Sequence, residues 1–167
     1  QGQELYLPVW IPGSYMVREF ARHLEGVTAT AGGRALGIVK TSKTRWRCAP
    51  LTGSGSRPRP LTIRYRVYAW DLSVRCAHLD ANQGFFNGTS VFLAVAGRER
   101  EPTSVDIHPP EGAAYGDWRL ATTLPRFPGD TSGGPWSFGR FRAVDYDELV
   151  DHPVQLGRFE TVGFEVG

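Results

Sequence analysis

The chain has 167 residues, of which 41% are hydrophobic and 22% charged, and its formal net charge is +2 at pH 7. This length and balance fit one globular domain with a buried core and argue against a disordered chain. The small net charge does not by itself indicate a nucleic-acid or membrane-surface partner, and no apolar run approaches the roughly 20 residues of a membrane span. The 20 glycines and 12 prolines separate short apolar runs, which favours strands and turns over helices.

The first notable stretch is LPVWIPGSYMVREFARHL, residues 7–24. A strand is predicted over Glu4–Trp10, already under way near the first residue, and we expect that an upstream segment is missing. The strand should break at Pro12-Gly13. Beyond the break, apolar residues recur at every fourth position, which predicts a short helix capped by Ser14.

The clearest strand is LTIRYRVYAW, residues Leu61–Trp70, in which apolar residues alternate with polar and aromatic ones. Similar short runs predict strands at Gly26–Ala31, Thr44–Cys48, Ser90–Ala96, Ser104–His108, Trp118–Thr122 and Arg158–Val166. A short helix capped by Asp145 should follow in DYDELVDHP and stop before Pro153. We therefore predict one all-β domain over residues 1–167, an antiparallel β-sandwich with one or two short helices.

The sequence carries few catalytic or metal-binding patterns. The four histidines lack metal-ligand spacing, and neither H-E-x-x-H nor G-x-S-x-G occurs. Cys76, His78 and Asp80 would share one strand face, but a polar strand end explains them better than a metal site. Acidic residues in DYDELVDHP are explained by the first turn of a helix better than by acid–base catalysis. Neither catalytic nor metal-binding residues are predicted.

Two further features leave alternatives open. Cys48 and Cys76 are either two buried thiols or one disulfide. The outer face of the Leu61–Trp70 strand interleaves arginines with aromatic residues, as in proteins that stack bases and neutralise phosphates. A free-standing binding module for carbohydrate or single-stranded nucleic acid is therefore the alternative function, although arginine stems covering a sheet explain the same pattern.

Several segments together resemble one family. They are LPVWIPGSYMVREFARHL, VKTSKTRWRC, IRYRVYAWDLSVRCAHLDANQGFFNGTSVFLAVAG, WRLATTLP and FRAVDYDELVDHPVQLGRFE. In this order and spacing they are similar to the N-terminal region of the glycyl aminopeptidases, zinc metallopeptidases of the thermolysin-like clan. The most specific parts are W-x-P-G-S-Y, G-F-F-N-G-T and D-Y-D-E-L-x-D-x-P.

The resemblance implies a non-catalytic N-terminal β-sandwich that packs on a catalytic domain and helps to shape its substrate cleft. In that family the zinc ligands, H-E-x-x-H and a downstream Glu, lie in the catalytic domain, and a PDZ-type domain follows. This chain lacks those residues, so we expect zinc in the parent protein and no cofactor here. The expected partners are the catalytic domain and, through it, a peptide substrate, but neither nucleic acid nor membrane. A cytoplasmic or periplasmic location is compatible with the sequence.

The resemblance also implies candidate site residues. In related enzymes a polar side chain of this domain helps to hold the substrate's free α-amino group. The loop DANQGFFNGTS offers four acceptors for an ammonium group, Asp80, Asn82, Gln83 and Asn87. Side-chain-to-backbone hydrogen bonds within the loop are the alternative role for these residues. Four aromatic side chains are candidates for the domain interface: Trp10, Tyr15, Phe85 and Phe86.

Overall fold

The computed structural model describes residues 2–11, 13–51, 60–131 and 133–165. In these ranges the chain forms antiparallel sheets with one short α-helix and three 3-10 helices, which confirms the all-β prediction. The strands are β1 Glu4–Tyr6, β2 Leu24–Ala31, β3 Arg34–Leu36, β4 Ile38–Lys40, β5 Arg45–Cys48, β6 Leu61–Val67, β7 Ala77–Leu79, β8 Gln83–Phe86, β9 Ala94–Val95, β10 Thr103–Ile107, β11 Arg119–Thr122, β12 Gly139–Ala143 and β13 Val154–Gly157. The helices are the 3-10 turns Phe20–His23, Gly88–Ser90 and Ala113–Tyr115 and the α-helix α1, Tyr146–Asp151.

Two sheets built mainly from the first half of the chain pack face to face. One has the strand order β4-β5-β1-β9 and the other β3-β2-β6. Leu5, Ala29 and Cys48 meet between them, together with half-buried residues such as Ile63. Along β6 half-buried and exposed residues alternate strictly, as the sequence pattern predicts.

A second core lies between the ribbon β10-β12, the sheet β11-β13-β8-β7 and helix α1. Leu120 and Val154, on the neighbouring strands β11 and β13, are almost wholly buried there and pack with Phe141 and Leu149. Asp145 caps α1 as predicted, because its carboxylate accepts a hydrogen bond of 2.8 Å from the Glu148 N–H. The second core thus supports the β7-β8 hairpin from one side.

The helix predicted after Ser14 is wrong. Instead, Ile11 and Ser14 form an antiparallel bridge around Gly13, which has a φ of +77°, and the Arg18 N–H donates to the Val9 carbonyl at 2.7 Å. Backbone donors are therefore used across a turn and not along a helix. Only the 3-10 turn Phe20–His23 remains of the predicted helix.

Four strand predictions also need correction. No strand forms between Arg158 and Glu165, the described part of Arg158–Val166; the strand there is β13, which ends at Gly157. Ser90–Ala96 shortens to β9 because Asn87 caps a 3-10 turn that includes Ser90. The predicted strand Glu4–Trp10 ends at Tyr6. The predicted strand Leu61–Trp70 ends at Val67, because Trp70 forms a bridge with His78 of β7 and not with the sheet of β6. None of the helices in the described ranges has the length and apolarity needed to cross a membrane.

Candidate functional site

The turn between β7 and β8 is organised by the carboxylate of Asp80. Its Oδ1 accepts hydrogen bonds from the Asn82 N–H at 2.7 Å and the Gln83 N–H at 2.9 Å. These two backbone donors, and after them the His78 ring, hold the pKa of Asp80 below its usual value. The Asp80 carboxylate is therefore committed to the turn, as the alternative role for this loop requires.

The ring of His78 contacts the second oxygen of the same carboxylate. Its Nε2 lies 3.1 Å from Asp80 Oδ2, and its side chain is only 10% exposed. The indole of Trp70 covers the ring at a centroid distance of 5.1 Å, and the two residues form an isolated antiparallel bridge. A buried imidazole in van der Waals contact on one face and hydrogen-bonded at one nitrogen fixes the position of the turn.

Gly157 supports the turn from the neighbouring strand and is a residue that the sequence prediction missed. Its φ is +128°, and an added Cβ would lie 2.9 Å from the Asn82 carbonyl oxygen and 3.2 Å from the Gln83 Cα. Only glycine allows β13 to approach the turn this closely. Gly157 is recognised by its pairing with Gln83 across the two strands, and no local sequence motif reveals that pairing.

The side chains of Asn82 and Gln83, unlike the carboxylate of Asp80, take no part in the hydrogen bonds of the turn. Asn82 is exposed and Gln83 half-buried, and neither side-chain amide has a hydrogen-bond partner among the described residues. Each amide oxygen can accept a hydrogen bond from a ligand N–H. Of the four predicted acceptors, these two combine a fixed backbone with an available side chain.

Asn87 lies at the opposite end of β8. Its Oδ1 accepts from the N–H and the hydroxyl of Thr89, at 3.1 and 2.5 Å, and so caps the 3-10 turn Gly88–Ser90. At about 3.3 Å per residue, the Asn87 Cα is about 13 Å from the Gln83 Cα. The fold thus brings Asp80, Asn82 and Gln83 together and holds Asn87 apart from them.

The predicted interface aromatics fall into two groups. Trp10 is 52% and Tyr15 96% exposed, so neither packs inside the sandwich. Phe86 instead packs against the domain's own second core and meets Phe92 edge to face at 5.7 Å. Phe85 is half-buried in β8, opposite His78 on one side.

A hairpin beside the turn exposes several large apolar side chains. Residues 69–71 pair with β7 through hydrogen bonds from the Asp71 N–H to the Ala77 carbonyl and from the Leu79 N–H to the Ala69 carbonyl. The exposed side chains on and before this hairpin, here called the hairpin patch, are Tyr68, Trp70, Leu72, Val74 and Leu79. Exposed apolar side chains that cluster on a surface are typical of contact sites, so the hairpin patch is a candidate contact surface.

A separate cleft of about 860 Å³ lies between the segment after β1 and helix α1. Three stretches singled out by sequence meet there: Trp10 of the first, Thr89 of the loop after β8 and Asp147 of DYDELVDHP. The residues lining this Trp10–α1 cleft are Tyr6, Pro8, Trp10, Thr89, Tyr146, Asp147, Glu148, Val150, Asp151 and His152. Distant parts of the chain therefore build one concave surface.

Neither cysteine belongs to a metal site or a disulfide. Cys48 and Cys76 are both free thiols, Cys48 buried and Cys76 half-buried. The Cys76 thiol contacts Ser73 and Asp71, and burial raises its pKa. In the described ranges no three His, Cys, Asp or Glu side chains are grouped so that they could hold a metal ion.

The arginine and aromatic residues that the alternative function uses lie on β6 and directly after it. Arg64 and Arg66 are exposed on the outer face of β6, and Tyr68 and Trp70 are exposed beyond the end of the strand at Val67. Glu25, on the neighbouring strand, lies 3.9 Å from the Arg66 guanidinium and partly offsets its charge. The two arginines and the two aromatic side chains therefore do not share one strand face, and the sequence pattern of the alternative function is divided between β6 and the hairpin at β7.

Comparison with known proteins finds relatives that share this fold. The profile of the peptidase M61 N-terminal domain matches residues 1–158. The chain is also similar to a crystal structure of an aminopeptidase N family protein from Idiomarina loihiensis, with a TM-score of 0.84 and 45% sequence identity. The match covers 94% of this chain and 25% of that one, so this chain spans about a quarter of the relative's length. No curated protein gives a match.

Proposed function

This chain belongs to the peptidase M61 N-terminal domain family and is an accessory domain of a peptidase, and we propose that the complete enzyme is a zinc-dependent aminopeptidase whose substrate cleft this domain helps to form. The proposal assigns zinc to the catalytic domain, where it would activate the attacking water. The role of the present chain is to dock on that domain and to contact the amino end of the peptide.

The hairpin patch supports docking beside the turn. Its side chains Trp70 and Leu72 are 63% and 64% exposed, and Val74 at the tip is 70% exposed. Burying such side chains against a second domain contributes about 25 cal/mol per Å² of apolar area. Because the hairpin includes β7, docking through it would carry the turn at Asp80 to the edge of the domain interface.

Recognition of the amino end rests on the side-chain amides of Asn82 and Gln83. An aminopeptidase must distinguish a free α-ammonium from an acylated nitrogen, and oxygen acceptors at a fixed position accomplish this. Asp80, His78 and Gly157 hold the backbone of the turn, so on binding only the side-chain rotamers of the two amides would need to be ordered. These unpartnered amides on a rigid turn are the observation that carries the proposal.

The test uses the complete enzyme with an amino-acyl substrate and its N-acetylated analogue. We expect Gln83→Ala and Asn82→Ala each to reduce kcat/KM about 10- to 100-fold, since hydrogen bonds to charged groups contribute on the order of 1.5–3 kcal/mol. Gln83→Glu is the matched variant and should retain activity, because a carboxylate also accepts from an ammonium. Gln3→Ala, whose amide bonds only backbone carbonyls of β1 and Ala96, is the control.

Two results would contradict the proposal. Unchanged kinetics in the double variant Asn82→Ala/Gln83→Ala, with intact folding, would exclude contact with the substrate. Peptidase activity that survives removal of zinc by a chelator would exclude the zinc-dependent class. Salt-sensitive retention of this chain on single-stranded nucleic acid would instead favour the alternative binding module.

A further inference from the structure

The Trp10–α1 cleft has the shape and lining of a binding site, and it is separate from the turn at Asp80. We propose that it receives an Arg- or Lys-bearing segment of the remaining chain of the same peptidase. This inference rests on the proposed function, because it requires a complete enzyme that is longer than the present chain. The cleft is lined by Thr89, which lies in the 3-10 turn after β8, beyond the end of the strand opposite to Gln83.

The charge of the cleft selects a cationic occupant. Asp147, Glu148 and Asp151 line it, whereas no lysine or arginine does. Arg100 reaches Asp147 from outside the cleft at 3.3 Å, but this pair is highly exposed and therefore weak. Asp151 is exposed and forms no ion pair among the described residues.

The walls of the cleft favour a cation with an apolar stem over a small inorganic ion. The Tyr146 hydroxyl donates to the Phe92 carbonyl at 2.7 Å, so its ring offers mainly its apolar surface. The Tyr6 hydroxyl donates to Glu99 at 3.1 Å, and the Arg45 guanidinium already covers one face of the Tyr6 ring, 4.8 Å from its centroid. The indole of Trp10 is half-exposed beside them. A guanidinium or ammonium group stacks well on such a ring while its methylene groups pack against aromatic and aliphatic walls.

The surroundings of the cleft indicate a tethered protein segment and not a short peptide. The turn that follows Trp10 returns to its neighbour Val9, whose carbonyl accepts from the Arg18 N–H at 2.7 Å, and on this turn the side chains of Tyr15, Met16 and Val17 are 96%, 64% and 75% exposed. A short peptide in the cleft would leave this apolar surface uncovered, whereas a folded segment could bury it. In the Idiomarina relative three quarters of the chain lies outside the matching region, and tethering gives such a segment a high effective concentration.

The experiment places the photo-crosslinker p-benzoylphenylalanine at position 10 of the complete enzyme. After irradiation, mass spectrometry should find crosslinks within a single chain, to an Arg- or Lys-containing peptide beyond residue 167. Crosslinks between two chains, crosslinks to an added peptide substrate, or the absence of any crosslink would each overturn the inference.

Charge variants sharpen the same experiment. Asp151→Arg should reduce the crosslink yield about threefold to tenfold, because it repels the expected cation. Glu111→Arg, at an exposed carboxylate that does not line the cleft, is the matched control and should leave the yield unchanged. An equal yield in both variants would contradict a cationic occupant.

Failure of this inference and failure of the proposed function give different results. If the crosslinks are absent but Gln83→Ala raises KM, only the cleft assignment is wrong. If the crosslinks form as expected but the enzyme works without zinc, only the proposed chemistry is wrong. Circular dichroism of each variant checks folding, and the crosslink at position 10 decides the matter should Asp151→Arg fail to fold.

Discussion

Replacement of Gly157 by alanine is the sharpest test of how the turn at Asp80 is held. The φ of +128° costs a residue with a side chain about 1–3 kcal/mol. The new Cβ would also lie 2.9 Å from the Asn82 oxygen and 3.2 Å from the Gln83 Cα, and backbone atoms cannot rotate away. We therefore expect Gly157→Ala to lower the free energy of unfolding by about 2–4 kcal/mol.

Urea denaturation followed by tryptophan fluorescence measures this change, and Gly37→Ala serves as its control. Gly37 is exposed, its φ is not left-handed, and its added Cβ would meet only the Ala49 side chain at 3.6 Å. The control should be neutral or stabilising by up to about 1 kcal/mol, because alanine restricts the unfolded chain. If Gly157→Ala unfolds within about 0.5 kcal/mol of the control, close packing of β13 beneath the turn is refuted.

Three further predictions concern the core, the turn and the helix. Leu120→Ala should lower the free energy of unfolding by about 2–5 kcal/mol, since this side chain is 1% exposed, whereas the half-exposed Leu51→Ala should change it by less than about 0.5 kcal/mol. The folded state lowers the pKa of Asp80, so the ionised carboxylate stabilises the fold above its usual pKa of 3.8, and this stabilisation is lost as the pH falls through the folded-state pKa. Asp80→Asn should therefore flatten the acid limb of a curve of unfolding free energy against pH. Asp145→Ala should remove the cap of α1 and cost about 1 kcal/mol, measured by urea denaturation beside Asp151→Ala, which should be nearly neutral.

Each of these predictions has a contradicting result. Equal effects of the two leucine substitutions would mean that the second core does not pack as described. An acid limb that is unchanged in Asp80→Asn would show that the turn does not depend on the ionised carboxylate. A neutral Asp145→Ala would mean that the helix does not need its cap.

Local sequence was a good guide wherever a pattern repeats within a single element. The alternation in β6 and the cap at Asp145 both depend on neighbours a few residues apart, and both are confirmed. The segment after Ser14 shows the limit of this reasoning. Its apolar spacing resembles a helix, but the Arg18 N–H bonds to Val9 across a turn, and a tertiary contact of this kind overrides spacing.

The candidate site likewise has features that the sequence predicted and features that it did not. The loop DANQGFFNGTS could be picked out because its polar side chains and glycines are close in sequence. The sequence did not show that Asp80 is consumed by the turn, that Asn87 lies at the other end of β8, or that Asn82 and Gln83 keep available amides. Those distinctions depend on backbone direction, which is set by strand pairing.

The sequence by itself determined the all-β class, the family and the short capped helix, because alternation, turn residues and ordered motifs are local properties that survive without a partner strand. Only the tertiary structure decided that Gly157 lies under the turn, that Trp70 covers His78, and that Trp10 faces a cleft completed by α1. The physical reason is that antiparallel pairing joins residues far apart in the chain, and register and direction depend on the packing of whole sheets.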